Sequence, residues 1–133
     1  MRIKPLSDKL SISGQISVQD LPALQSQGIK SIICNRPDFE GAGQPTFNEL
    51  KTAAEKLGME ARYIPVGFGG VTQNMVDEFA AAVEEMPNPT LAFCLSGARS
   101  SMMASHALPR SAMPNAGLAG TMRNLTAMFT GRA

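Results

Sequence analysis

Apolar and polar positions alternate along the chain in two distinct patterns. Short apolar runs bounded by turn residues predict four strands, at residues 10–13, 29–34, 59–66 and 90–93. Apolar residues three and four positions apart predict three helices between these strands, beginning after Ser17, Thr46 and Thr72. Strands that alternate with helices are typical of a largely parallel sheet with helices packed on its faces.

The chain after Ser100 has a less regular pattern. Residues 102–108 predict a helix that continues up to Pro109, and residues 118–129 predict another. Because no linker or repeat interrupts the 133 residues, we predict one α/β domain over residues 1–133. Its central sheet is expected to be mostly parallel, with four to five strands.

The charge of the chain is balanced, with 12 Lys and Arg residues against 11 Asp and Glu residues and a formal net charge of +1. Such a balance creates no basic field that attracts nucleic acid or an anionic membrane. Two cysteines, Cys34 and Cys94, are too few for a disulfide framework. No signal sequence and no run of about 18 apolar residues is present. The sequence therefore predicts a cytoplasmic protein with neither a nucleic-acid nor a membrane partner.

The segment that begins at Cys94 directly follows the fourth predicted strand and leads into a predicted helix. In a parallel sheet, active sites usually lie at the carboxyl ends of the strands. A strand-turn-helix arrangement points backbone N–H groups inward, and the helix adds the positive end of its dipole. Arg99 supplies a planar, forked donor. We therefore predict an anion-binding loop made of Leu95, Ser96, Gly97, Ala98, Arg99 and Ser100.

Cys94 is the expected nucleophile of this loop, because helix N-termini and nearby cations lower the pKa of cysteine from about 8.5 to about 3.5–7.5. Gly97 is expected to adopt a positive φ or to let the backbone approach the anion. The hydroxyls of Ser96 and Ser100 are expected to hydrogen-bond the thiolate or cap the helix. The alternative interpretation is that Cys94 is a small core residue and Arg99 an exposed helix start.

Five short motifs resemble one protein family. They are Ser13-Gly14-Gln15, Asn35-Arg36-Pro37-Asp38, Gly43-Gln44-Pro45, Tyr63-Ile64-Pro65-Val66 and the segment from Phe93 to Ser100. The chain resembles the phosphatase-like domain of β-lactamase-hydrolase-like proteins, also called DUF442, within the protein tyrosine and dual-specificity phosphatase superfamily. Family members generally carry a polar or basic residue where this chain has Leu95, and the segment beyond Ser100 departs from the usual ending.

The resemblance implies a three-layer phosphatase-like fold with Cys94 as nucleophile and Arg99 as anion binder. It also allows Asn35, Arg36 and Asp38 a supporting place at the site. Arg36 either helps to shape the anion site or braces its own loop through Asp38.

Two features of the residues bear on the reaction, which the fold alone does not settle. Only four residues separate Cys94 from Arg99, one fewer than in tyrosine-phosphatase-like enzymes, and this spacing is similar to the active loop of rhodanese sulfurtransferases. A narrower ring of N–H donors suits a persulfide better than a phosphoryl group. The loop at 66–70 also contains no acid to protonate a leaving oxygen, and Asp38 and Asp77 are more simply a turn residue and an exposed helix position.

The leading hypothesis from the sequence is therefore sulfur transfer, in which Cys94 takes sulfane sulfur from a small anionic or persulfide substrate and passes it to a thiol. The first alternative is a phosphoester hydrolase that forms a phosphocysteine on Cys94. The second is a non-enzymatic module that binds anions or senses oxidants. The resemblance points to a persulfide- or sulfide-oxidising enzyme as partner.

The remaining candidates are weaker. Cys34 ends a buried run and is expected to pack in the core, although it lies where it could resolve an oxidised Cys94. His106 is the single histidine and has no clustered ligands around it in the sequence. We therefore predict no metal site and no cofactor.

Overall fold

A computed structural model describes residues 2–115 of the chain. Its sheet has five strands, β1 (Ile3–Pro5), β2 (Leu10–Ser13), β3 (Ser31–Cys34), β4 (Glu60–Tyr63) and β5 (Thr90–Phe93). The spatial order is β1-β2-β5-β3-β4, with β1 antiparallel to β2 and the other pairs parallel. The prediction of a mostly parallel sheet of four to five strands is confirmed.

Four α-helices connect these strands or follow them: α1 (Leu21–Ser26), α2 (Phe47–Lys56), α3 (Gln73–Glu85) and α4 (Ala98–Ala107). Thr46 and Thr72 cap α2 and α3, where their hydroxyls accept backbone N–H groups of Glu49 and Met75. Short 3₁₀ turns at Val18–Asp20 and Arg110–Ala112 complete the described part. In that part, no helix combines the length and the apolar character needed to cross a bilayer.

The helices cover both faces of the sheet and create two separate cores. Ile33 and Ala92 point into one core, which α3 and α4 cover. Ile32 and Leu91 point into the other, on the side of α1 and α2. Because successive side chains of a strand point to opposite faces, each buried strand feeds both cores. This is the three-layer architecture that the family resemblance implied.

Register brings three strand ends to one edge of the sheet. Ser13 of β2 and Cys34 of β3 both pair with Phe93 of β5. Gly14, Asn35 and Cys94, the next residue of each strand, therefore begin neighbouring loops. The candidate site is built at this edge.

The structure differs from the predicted ends of two strands and from the predicted start of one helix. The strands at 29–34 and 59–66 are shorter than predicted, although Ile64 and Val66 still donate backbone N–H groups to the carbonyls of Cys34 and Asn35. The helix expected after Ser17 begins as a 3₁₀ turn and becomes α-helical only at Leu21.

The ends of the chain also differ from the prediction. β1 was missed, because a three-residue strand is too short to show periodicity. The helix predicted at 102–108 belongs to α4, which begins earlier and ends one residue sooner. The helix predicted at 118–129 lies outside the described residues.

Candidate active site

Cys94 lies at the base of the loop that joins β5 to α4. Its side chain is fully buried, and its Sγ accepts the backbone N–H of Gly97 at 3.1 Å. Gly97 has a φ of 97°, a left-handed conformation that turns the chain back toward the sulfur. A Cβ at Gly97 would also lie 3.4 Å from the backbone of Ser13. The backbone conformation is what favours glycine here, and the predicted positive φ is confirmed.

The loop surrounds the sulfur with hydrogen-bond donors. Burial alone would raise the pKa of Cys94, but hydrogen bonds from the backbone N–H groups of Ser100, Gly97, Arg99 and Ser96 outweigh it and hold this pKa below the ordinary thiol value. The arrangement therefore favours a thiolate at the N-terminus of α4, where the helix dipole acts in the same direction.

Arg99 presents its guanidinium at the same place and is already paired. Nη1 and Nη2 donate to the two carboxylate oxygens of Glu40 at 2.7 Å each, and Nη1 also donates to the carbonyl of Val66 at 2.9 Å. The hydrogen bond with Glu40 is the main cause that raises the pKa of Arg99. Interaction with Cys94 raises this pKa by a smaller amount. An incoming anion must therefore compete with a carboxylate for the forked donor.

Glu40 was missed by the sequence analysis and is shared between two arginines. Besides Arg99, it accepts the Nε of Arg36 at 3.0 Å, while Nη1 of Arg36 donates to Gln15 at 3.1 Å. The hydrogen bond from Arg99, with help from Arg36, lowers the pKa of Glu40 to about 2. The expectation that Arg36 braces its loop through Asp38 is wrong, because its carboxylate partner is Glu40.

Asn35 and Ser100 form a buried hydrogen-bonded pair behind the loop. Ser100 Oγ donates to Asn35 Oδ1 at 2.8 Å, and Asn35 Nδ2 donates to the carbonyl of Ile64 at 2.8 Å. This pair fixes the first turn of α4 to the ends of β3 and β4. The hydroxyl of Ser100 was expected to bond the thiolate or to cap the helix, but it binds Asn35 instead. The backbone N–H of Ser100 is the group of this residue that lowers the pKa of Cys94.

The other loop residues have supporting contacts. Gly97 is the N-cap residue of α4, and Ser96 Oγ accepts the N–H of Ala98, the first residue of the helix, at 3.2 Å. The carbonyl of Leu95 accepts the N–H of Gln15, and a Cβ at Gly14 would lie 2.9 Å from that carbonyl oxygen. The Ser13-Gly14-Gln15 motif thus lies directly against the Cys94 loop, which gives its glycine a steric reason.

Asp38 does not face Arg99. Its Oδ1 accepts the N–H of Phe47 at 2.8 Å, and its own N–H donates to the hydroxyl of Tyr63 at 2.9 Å. Both contacts anchor the start of α2. Asp77 lies on α3, where it accepts a hydrogen bond from Gln73. Neither aspartate is placed as an acid for a group bound at Arg99.

Cys34 behaves as a core residue, as expected. It is 2% exposed, packs in the core under α1 and α2, and donates its thiol to the carbonyl of Arg36 at 3.3 Å. Burial raises its pKa to about 12. Both cysteines are free thiols.

With this geometry in place, comparisons with known proteins show the family and the fold of the chain. A family model described as the phosphatase-like domain of beta-lactamase hydrolase-like protein matches residues 2–110. The chain belongs to this family. The beta-lactamase hydrolase-like protein of Agrobacterium fabrum is 37% identical over 99 residues, a match that covers 74% of this chain and 23% of the relative. The chain therefore spans about a quarter of the length of the curated relatives it matches.

Solved structures of the phosphatase-like family share the architecture. A candidate phosphatase from Neisseria meningitidis has a TM-score of 0.73 and 30% identity, and the match covers 94% of this chain and 96% of that one. A DUF442 candidate phosphatase from Shewanella putrefaciens has a TM-score of 0.74 and 24% identity, covering 90% and 74%. More distant neighbours of the same fold belong to the cysteine-based protein tyrosine phosphatase superfamily.

These relatives confirm an enzyme fold of the cysteine-based phosphatase superfamily. Sulfur transfer, which the spacing of Cys94 and Arg99 favoured, has no counterpart among them. They favour the phosphoester alternative instead.

Proposed function

We propose that this protein hydrolyses phosphomonoesters through a phosphocysteine on Cys94. The observation that carries the proposal is the position of Cys94 directly before α4, where its Sγ accepts the backbone N–H of Gly97 at 3.1 Å and Arg99 lies in the first turn of the same helix with its forked donor. The lowered pKa of Cys94 raises its thiolate fraction above that of an ordinary cysteine, and the thiolate is the nucleophilic form. The inward-pointing donors and the guanidinium also stabilise the charge that develops on the phosphoryl oxygens.

The reaction has two displacements. The Cys94 thiolate attacks phosphorus, so that an S–P bond forms while the P–O bond to the leaving group breaks and its electron pair stays on the leaving oxygen. Water then attacks the phosphocysteine, the S–P bond breaks, and inorganic phosphate leaves with the thiolate restored. Arg99 holds the equatorial oxygens in both steps, after the substrate has displaced Glu40 from its forked donors.

The site lacks a carboxylic acid that could protonate the leaving oxygen of a substrate bound at Arg99. All 11 Asp and Glu residues of the sequence lie in the described part of the chain, and there Glu40 is the one carboxylate that contacts Arg99. With a pKa of about 2, Glu40 has no proton to give at neutral pH. We therefore expect a preference for leaving groups of low pKa, such as phenols, over alkyl alcohols.

The test measures both reactions on one preparation. A nitrophenyl phosphate should release phosphate, and rapid quenching followed by mass spectrometry should trap a phosphoryl group on Cys94. Thiosulfate with cyanide should give no thiocyanate. Cys94→Ser should abolish turnover, whereas Cys34→Ser, the same change at the other buried thiol, should retain it. Thiocyanate formation with an added sulfur on Cys94, and no phosphate release, would instead establish sulfur transfer.

A partner that oxidises persulfides or sulfide was expected from the family resemblance and stays a prediction. Such a partner would be expected only if the protein transfers sulfur, so the assay with thiosulfate and cyanide also tests this prediction. The phosphatase proposal requires a small anionic substrate and no such partner.

A further inference from the structure

Four of the five large apolar side chains that are exposed in the described part of the chain belong to segments that form the Cys94 loop or α4, or that bind Arg99. Phe39 is 88% exposed, Phe68 is fully exposed, and Leu95 and Met102 are 56% and 52% exposed. The fifth large apolar residue of this kind, Tyr63, is 36% exposed and stacks on Phe47 with ring centroids 5.0 Å apart. We name Phe39, Phe68, Leu95 and Met102 the apolar rim.

Each member of the apolar rim is close in the chain to a group that contacts Arg99 or Cys94. Phe39 precedes Glu40, whose carboxylate binds Arg99, and Leu95 follows Cys94. Phe68 comes two residues after Val66, whose carbonyl also binds Arg99.

Met102 lies three residues after Arg99 on α4, so the two share one side of that helix. The loops that carry the two phenylalanines lie side by side, because a Cβ at Gly67 would lie 3.9 Å from Pro37 Cγ. The rim residues thus belong to three segments that meet at Arg99.

The backbone of Phe39 supports a binding role for the rim. Its φ of 64° makes it the one residue other than glycine with a left-handed conformation in the described part of the chain. Bulky residues adopt that conformation at a cost, and such strain is concentrated at functional sites. The turn directs Glu40 inward to Arg99 and leaves the Phe39 ring in solvent.

The exposed area exceeds what a bound phosphate or a single small ring covers. Two phenylalanine side chains alone offer about 300–500 Å² of apolar surface, and contiguous apolar patches of more than a few hundred Å² mark binding sites. At the base of the site Arg99 and Arg36 share one carboxylate, Glu40, and this excess of positive charge favours an anionic group there. A site with positive charge at its bottom and apolar side chains at its rim fits an amphiphilic ligand, which has an anionic group and an apolar body.

We infer that the substrate is a phosphomonoester with an extended apolar body, whose phosphate binds at Arg99 while its apolar body packs on Phe39, Phe68, Leu95 and Met102. This inference rests on the proposed function and narrows its substrate class. The rim is a subsite for the substrate itself, not a membrane-docking face.

A series of 4-alkoxyphenyl phosphates, from methoxy to octyloxy, tests the inference at constant leaving-group pKa. Each added methylene should raise kcat/KM about two- to fourfold until the chain spans the rim. Phe68→Ser and Phe39→Ser should flatten this dependence, so that within each variant kcat/KM for the octyloxy compound falls toward its value for the methoxy compound. Phe68→Leu, the matched control, should keep most of the dependence because it keeps an apolar side chain.

Binding of alkylphosphonates separates failure of the inference from failure of the proposed function. Hydrolysis with equal kcat/KM at all chain lengths would overturn the inference and leave the phosphatase proposal intact. No hydrolysis, together with phosphonate affinity that rises with chain length and is lost in Phe68→Ser, would support the subsite and overturn the phosphatase. Vesicle binding that needs Phe68, without any dependence on chain length, would overturn the subsite in favour of a membrane.

Discussion

Cys34 and Cys94 are two buried thiols at the ends of neighbouring parallel strands, yet their chemistry is opposite. Burial raises the pKa of Cys34 to about 12 and outweighs the backbone hydrogen bond with Arg36, which lowers it. Burial also disfavours a charge on Cys94, but four backbone N–H groups reverse the direction of the shift. Reactivity here is created by the turn after β5 and not by exposure or by the strand itself.

The largest expected effect of this difference is on alkylation. In the native protein at pH 7, iodoacetamide should modify Cys94 at least a thousandfold faster than Cys34, since the thiolate fraction differs by several orders of magnitude. Peptide mass spectrometry over time measures both rates in one sample. The rate at Cys94 should rise with pH and level off below the ordinary thiol pKa, because its pKa is lowered. Equal rates at the two cysteines would show that the loop does not activate its sulfur.

Gly97→Ala should raise the pKa of Cys94 and so reduce the difference in reactivity between Cys94 and Cys34. A side chain at a φ of 97° costs about 1–2 kcal/mol of stability, and relief of that strain would move the N–H that binds the sulfur. We expect kcat/KM to fall at least tenfold and the alkylation midpoint of Cys94 to move to higher pH.

Gly28→Ala is the control for this change. Gly28 ends α1 with a φ of 94° and no atom within 4 Å of a Cβ built on it, so the backbone cost is similar and the site is not involved. If both variants lost stability alike and neither changed the alkylation profile, the hydrogen bond from Gly97 would have no part in activating Cys94.

Features formed by residues close together in the chain were predictable from the sequence, whereas contacts between distant residues were not. The strand ending at Phe93, the cysteine, the glycine turn and the helix starting at Ala98 are local features, so the Cys94 loop was predictable from spacing. The contact between Glu40 and Arg99 joins residues 59 positions apart, and the pair of Asn35 and Ser100 joins residues 65 apart.

No periodic or composition signal marks a lone glutamate in a loop as the partner of a distant arginine. Asn35 was predicted near the site only through the family motif, and its bond to Ser100 required the sheet order. Short strands and loop-borne contacts are thus where tertiary structure overrides local pattern.

A smaller effect is expected from Glu40→Gln. Its carboxylate adds negative charge near Cys94 and competes with phosphate for Arg99, so the neutral amide should strengthen inhibition by inorganic phosphate roughly three- to tenfold, as expected for a partly exposed pair. The pKa of Cys94 should fall further. Because the pKa of Glu40 is about 2, Glu40 stays charged from pH 5 to 8, and any pH dependence of the ratio between variant and wild type comes from Cys94 and from phosphate itself. Glu85→Gln, which breaks the exposed pair with Arg62, should change neither quantity.

The smallest effect concerns stability at high pH and depends on Cys34. Its folded pKa of about 12 lies above the ordinary thiol value of 9.0, so the folded state keeps a proton that the unfolded chain loses. The resulting stabilisation is fully present below pH 9 and is lost as the pH rises toward 12. Cys34→Ser removes this titration while keeping a donor for the carbonyl of Arg36. Between pH 9 and 11, the free energy of unfolding of wild type should therefore fall relative to the variant, by at most about 1 kcal/mol per pH unit. Urea unfolding at each pH measures the difference, and parallel curves would mean that Cys34 ionises as readily in the core as in water.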